Sequence, residues 1–170
     1  MLKFYRWIAL QKRGGFMEKI HRIMFVCHGN ICRSPMAEFL LKDMTKKDGM
    51  TDRFVIASAG TSHEELGNPV HQGTRKKLAQ DHISAAGKLA VQLTKADYEK
   101  YDLILGMDRA NISNILRIVG SDPQDKVHRL LDFTEQPRDI ADPWYTGDFE
   151  TTYTEIKAGC TALLKHLRRF

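Results

Sequence analysis

The chain has 170 residues, 42% hydrophobic and 28% charged, enough for one domain with a single buried core. Its formal charge is +5, but residues 1–16 hold Lys3, Arg6, Lys12 and Arg13 with no acid, leaving 22 basic against 21 acidic side chains elsewhere. A basic excess gathered in one tail argues against a nucleic-acid surface, and no apolar run approaches the roughly eighteen residues of a membrane span.

Residues 1–16 lack the apolar stretch and small-residue cleavage site of a signal peptide. They read as a basic extension outside the domain, which spans 17–170. Translation starting at Met17, which leads into the first strand through Glu18-Lys19-Ile20, is the favoured explanation. A disordered tail or an amphipathic segment touching anionic membrane are the alternatives, and no stable membrane association is expected. Three cysteines, two of them close together, suit a reducing compartment, so a cytoplasmic location is expected.

The apolar run Ile23-Met24-Phe25-Val26 reads as a buried strand. It delivers Cys27 into the segment Cys27-His28-Gly29-Asn30-Ile31-Cys32-Arg33, which Ser34-Pro35 closes where a helix over 35–46 begins. A thiolate ringed by backbone N–H groups beside a helix N-terminus is stabilised by their partial positive charge. Arg33 offers a planar fork to two oxygens of a phosphoryl group, a geometry lysine lacks. Gly29 permits a positive φ or a close backbone approach, and Ser34 sets a hydroxyl beside the sulfur. The pattern predicts a loop holding one oxyanion, with Cys27 attacking phosphorus. Reading Cys27 as an inert buried thiol leaves Gly29, Asn30 and Ser34 unexplained together. Cys27 and Cys32 lack zinc-knuckle spacing and His28 and His63 stand alone, so neither metal nor other cofactor is expected. The G-x-x-x-x-G-K-[ST] of a nucleotide loop is not present in this segment.

Apolar runs at 54–57, 103–105 and 127–131 read as three further short strands. Helices are predicted over 69–81, with Asn68 as N-cap before Pro69; near Thr94, with Asp97 three residues on; and over 109–119, with Asp108 as N-cap. A last helix is predicted over 149–167, carrying Cys160 as a packed thiol. Alternating strands and helices imply a three-layer α/β fold: a parallel sheet with right-handed crossovers and helices on both faces. Ligands of such sheets bind beyond the carboxyl ends of the strands, where Cys27 lies.

A thiol nucleophile needs a proton donor for its leaving group. Asp142, in Ala141-Asp142-Pro143-Trp144-Tyr145, is the leading candidate, because Pro143 biases it toward a loop and the following aromatic pair could wall a pocket. Asp139 and Asp148 are rivals without that context. An ordinary Asp-Pro turn with an aromatic core anchor fits the same residues.

Four blocks together resemble the low-molecular-weight protein tyrosine phosphatases: 26–38, Ser58-Ala59-Gly60-Thr61-Ser62, Met107-Asp108-Arg109-Ala110-Asn111, and Asp142-Pro143-Trp144-Tyr145. The resemblance runs from about Arg22 to the C-terminus. It implies a four-stranded sheet of order 2-1-3-4, with Cys27 as the nucleophile that becomes phosphocysteine, Arg33 as the phosphate clamp, and Asp142 as general acid and then base. It implies that His28, Gly29, Asn30, Ile31, Cys32 and Ser34 surround the phosphate, with Trp144 and Tyr145 at the aromatic ring. Asn30 would hold the loop's shape through Ser58, and Cys32 would trap oxidised Cys27 as a reversible disulfide. The implied partner is a phosphotyrosine-bearing protein, and a monomer is favoured.

Two relatives on this fold are weighed by the same residues. Arsenate reductases add shuttling cysteines in mid-chain, and this chain has no cysteine between Cys32 and Cys160. Protein-arginine phosphatases carry a threonine where this chain has Ile31, and small residues where it has Trp144-Tyr145; both differences favour phosphotyrosine. A non-catalytic phosphate-binding module is the remaining alternative. Three departures from the family stand out. His63-Glu64-Glu65-Leu66 replaces a frequent tryptophan and makes the rim acidic, Gly87 replaces a supporting histidine, and Trp144 replaces a tyrosine.

Overall fold

Strands β1 (His21–Cys27), β2 (Phe54–Gly60), β3 (Leu103–Gly106) and β4 (Val127–Arg129) pair in parallel in the order β2-β1-β3-β4. The computed structural model describes residues 19–168, so the predicted extension over 1–16 lies outside them. The helices are α1 (Arg33–Lys47), α2 (Gln72–Gln80), α3 (Asp97–Lys100), α4 (Arg109–Val119), α5 (Pro143–Thr146) and α6 (Phe149–Leu167). No helix among the described residues is long and apolar enough to cross a membrane.

The two-residue period of β1 sorts its side chains between two cores. Ile23, Phe25 and Cys27 join Met36 and Leu40 of α1 and Ile156 and Leu163 of α6. Met24 and Val26 join Ile115 and Val119 of α4. Helices therefore cover both faces, as the alternation of elements predicts. Phe25 is fully buried, a placement that stabilises the fold by roughly 1.5–3 kcal/mol. Cys160 is buried against the Ala37 carbonyl, and burial raises its thiol pKa.

Three predicted elements are redrawn. The helix expected over 69–81 is α2, capped by His71, whose Nδ1 accepts from Gly73 N at 3.0 Å. Asn68 does not cap it. Its amide binds the Glu65 carboxylate and its carbonyl accepts from Ala90 N, so Pro69 pairs instead with Leu89 as an antiparallel bridge. The strand expected over 127–131 ends at Arg129, because Asp132 accepts from both the backbone and side chain of Arg129 and closes a 3₁₀ turn, Leu130–Phe133. Residues 143–146, expected as loop, form the single-turn α5 with Asp142 as N-cap and Pro143 at its first position.

Candidate active site

β1 and β2 end in register at Cys27 and Gly60. A Cβ on Gly60 would lie 2.7 Å from the His28 carbonyl oxygen, so only glycine lets β2 approach the loop. The loop from Cys27 to Arg33 then turns its carbonyls outward. Cys27 and His28 accept from Thr61 N and Ser62 N, each at 2.9 Å. Ile31 accepts from His71 N at 2.8 Å and Cys32 from Thr74 Oγ1 at 3.1 Å. In a trans peptide the N–H opposes the C=O. The amides of His28, Gly29, Cys32 and Arg33 therefore point to the other side of the loop. The first turn of α1 has no side-chain cap, which leaves its N-terminal dipole directed at the same place.

Asn30 takes the left-handed conformation, φ 58°, so of the two roles open to Gly29 the positive φ falls to its neighbour. Gly29 serves the close approach instead, since a Cβ there would meet the Glu65 side chain at 3.1 Å. Buried Asn30 donates to Ser34 Oγ at 2.8 Å and to Ser58 Oγ at 2.9 Å, and accepts from Val91 N at 3.0 Å. The Ser58 hydroxyl donates in turn to buried Glu38 at 2.5 Å. Lys88 reaches the Ser58 carbonyl at 2.9 Å and Glu38 at 3.5 Å. Lys42 also binds Glu38, at 2.5 Å, so beside Gly87 the loop is backed by a buried carboxylate with two lysines. Glu38 and Lys88 are the parts of this network that sequence reasoning missed.

Cys27 is 3% exposed, and its sulfur lies 3.1 Å from Ser34 Oγ. The hydroxyl has one proton, with the sulfur at 3.1 Å and the Ala59 carbonyl at 3.3 Å as its acceptors. A Cys27 thiolate is the stronger acceptor, and Asn30 occupies one acceptor site of that same hydroxyl. Burial pushes the Cys32 thiol up to about 12, aided by Cys27 and Asp142, so Cys32 stays protonated at neutral pH.

Arg33 is buried at 2% exposure. Its Nη1 donates to Asp108 at 2.6 Å and to the Ile140 carbonyl at 2.9 Å, and its Nη2 donates to Asp142 at 2.7 Å. Burial opposes its charge, but Cys27, Asp108 and Asp142 outweigh that and raise its pKa. Among the described residues Nε has no partner, and only one hydrogen of Nη2 is committed. Those unspent N–H groups suit two oxygens of one oxyanion. Asp108 is thus both N-cap of α4, accepting from Asn111 N at 2.7 Å, and an anchor of Arg33. The sequence predicts only the cap.

A cavity of about 120 Å³ is lined by Cys27, His28, Gly29, Ile31, Cys32, Asp142, Trp144 and Tyr145, with Glu64 and Glu65 on its rim. The side chains of Asn30, Ser34 and Ser58 lie behind the loop, buried, rather than along the cavity. His28 is paired with Glu64 at 3.0 Å, and that contact lowers the Glu64 pKa. Asp139 is held by Arg129 at 2.8 Å and Asp148 caps α6; neither lines the cavity. Among the described residues no group of three or more His, Cys, Asp or Glu could hold a metal ion.

The site can thus hold a tetrahedral oxyanion over a thiol, with a carboxylate at its mouth. A family model described as low molecular weight phosphotyrosine protein phosphatase matches residues 22–170. The low molecular weight protein-tyrosine-phosphatase YfkJ of Bacillus subtilis is 40% identical over 149 residues, covering 86% of this chain and 96% of that protein. Its crystal structure superposes with a TM-score of 0.85, covering 92% of this chain and 98% of YfkJ at 39% identity. The low molecular weight protein tyrosine phosphatase of Streptococcus pyogenes follows at TM-score 0.77 and 37% identity, covering 87% and 93%. A Drosophila arginine phosphatase shares the fold at TM-score 0.77 and 25% identity, covering 86% and 97%. On the family match and the identity to YfkJ, this chain belongs to the low molecular weight phosphotyrosine protein phosphatases.

Proposed function

We propose that the protein hydrolyses phosphotyrosine in proteins through a phosphocysteine intermediate. The observation that carries this is that Cys27 and Asp142 line one cavity, with the Ser34 hydroxyl buried 3.1 Å from the Cys27 sulfur and the buried Arg33 guanidinium bound to the Asp142 carboxyl at 2.7 Å. The phosphoryl group seats on the loop amides and on Nε and Nη2 of Arg33. The Cys27 thiolate attacks phosphorus in line as the bond to the phenolic oxygen breaks. Asp142 gives that oxygen its proton, so tyrosine leaves neutral. The resulting carboxylate takes a proton from water, which attacks the phosphocysteine; inorganic phosphate departs and the thiolate returns. Arg33 and the loop dipoles bear the charge throughout.

Ile31 and the aromatic pair Trp144 and Tyr145 line the cavity and favour a flat phenyl ring over a phosphoguanidine. Likeness to the arginine phosphatase keeps phosphoarginine as the second reading. A phosphotyrosine peptide and a phosphoarginine protein, offered separately in reducing buffer, separate the two. Faster phosphate release from the peptide is expected; faster release from the phosphoarginine protein transfers the mechanism to the other substrate. Loss of turnover in Cys27→Ser with the fold retained tests the covalent step, and full activity in that variant overturns it. Three unpaired cysteines support a reducing, cytoplasmic setting.

A further inference from the structure

Asp142 sits at the start of the exposed turn α5, where Trp144 is 57% and Tyr145 84% exposed. Such a turn has few contacts of its own to fix the carboxyl over the leaving group. A general acid must nevertheless be placed to within a fraction of an ångström, since a misplacement of about 1 Å costs on the order of 10²-fold in rate. Arg33 holds one oxygen of the carboxyl at 2.7 Å, but an incoming oxyanion must share that guanidinium edge, so a second contact has to set the position of the turn.

The start of α2 is built for that. Its backbone and Thr74 hydroxyl grip the outer side of the nucleophile loop, with His71 N on the Ile31 carbonyl at 2.8 Å and Thr74 Oγ1 on the Cys32 carbonyl at 3.1 Å. The His71 ring is oriented by its own capping bond to Gly73 N. One face of it stacks on Phe149, centroids 5.1 Å apart and planes within 5°. It also meets Trp144 edge-to-face at 5.8 Å and 75°. Trp144 N in turn donates to Asp142 Oδ1 at 3.1 Å. Phe149 opens α6 directly after the acid turn and comes so near that a Cβ on Gly73 would lie 2.6 Å from its ring. One imidazole therefore touches Trp144 within α5 and Phe149 just after it, while its backbone is tied to the nucleophile loop.

Resting on the phosphatase reading, we propose that His71 is a positioning residue: its ring holds the Asp142 turn at a set distance from the Cys27–Arg33 loop. The contact serves proton donation, not phosphate binding. Its loss should matter in proportion to how badly the leaving oxygen needs a proton.

The test measures kcat/KM of the full chain on phenyl phosphate, whose leaving group requires protonation, and on dinitrophenyl phosphate, whose leaving group does not. His71→Asn retains a capping oxygen but no ring, and His71→Phe retains a ring but no cap. His71→Asn is expected to lose about ten-fold on phenyl phosphate, a part of the ~10²–10⁴-fold due to a general acid, and less than about two-fold on dinitrophenyl phosphate. His71→Phe is expected to stay near the parent on both. Phe149→Leu, which removes the stack from its other side, should reproduce the selective loss. Equal slowing of both substrates, no loss in His71→Asn, or the same loss in His71→Phe would each overturn the proposal. Turnover of dinitrophenyl phosphate shows in every case that the variant is folded and the nucleophile loop intact. Failure of the parent protein to turn over either ester would instead count against the phosphatase reading.

Discussion

Arg33 Nη2 donates to Asp142 Oδ2 at 2.7 Å, so the proposed phosphate clamp and the proposed acid are paired with each other before substrate arrives. An incoming oxyanion must share that edge of the guanidinium and meet the carboxylate's charge. Asp142→Asn removes the charge while keeping the shape. It is expected to bind inorganic phosphate several-fold more tightly by titration calorimetry, yet to lose about 10²–10⁴-fold in kcat/KM on phenyl phosphate. Unchanged phosphate affinity would mean that the pair does not compete with the ligand.

Ser34 is the hydroxyl 3.1 Å from the Cys27 sulfur, and Asn30 orients it. A donor that stabilises the thiolate also makes it a better leaving group when water attacks phosphocysteine. Ser34→Ala should therefore lower kcat by about ten-fold, the scale of one hydrogen bond to a charged group. Burst kinetics should show the phosphoenzyme accumulating. A fall in KM-linked steps alone, with kcat intact, would contradict this.

Cys32 has its thiol held protonated by burial, so it does not compete as a nucleophile. Cys32→Ser should keep near-parental turnover under reducing conditions. After a peroxide pulse the parent should recover with dithiothreitol and the variant should recover far less, because no neighbouring thiol intercepts the sulfenic acid. Equal recovery would rule out the protective disulfide.

The rim carries Glu64 and Glu65, and among the described residues no lysine or arginine lines the cavity beside them. Glu64→Gln should raise kcat/KM for phosphotyrosine peptides flanked by aspartate and glutamate by a few-fold. It should leave phenyl phosphate unaffected, and the difference should fade in high salt. A salt-independent effect would point to shape instead.

His21 stacks on Phe54 at 5.3 Å at the start of β1, and burial, with help from Lys19, lowers its pKa to about 4. The unfolded chain binds this proton below about pH 6.5, whereas the folded chain binds it only near pH 4. Its contribution is thus present above pH 6.5 and is lost as pH falls toward 4, at up to about 1.4 kcal/mol per pH unit. Urea unfolding of the parent and of His21→Gln at pH 7 and at pH 5 checks this. The variant should show the shallower pH dependence, and parallel slopes would refute it.

The elements were legible wherever a local pattern was strong. Four apolar runs marked the four strands, and Asp108 marked the start of α4. Asn68-Pro69 misled because a capping signature was overridden by pairing with residues 89–90, which only the folded chain brings near. α5 escaped notice because four residues are too few for any periodicity. Glu38, Lys88 and the second role of Asp108 left no local signal, since each acts on a residue far away in sequence.

The sequence by itself determined the Cys27–Arg33 loop, because thiol, glycine, arginine and serine lie within eight consecutive residues between an apolar strand and a helix start; that Asn30 takes the left-handed position came from the structure. It also determined the parallel sheet, through alternating apolar runs and helices. Only the tertiary structure decided how that loop is held and completed. Asp108, Asp142, Glu38 and His71 reach it from separate elements, and the buried charge of Arg33 is balanced only once those chains of contacts close in three dimensions.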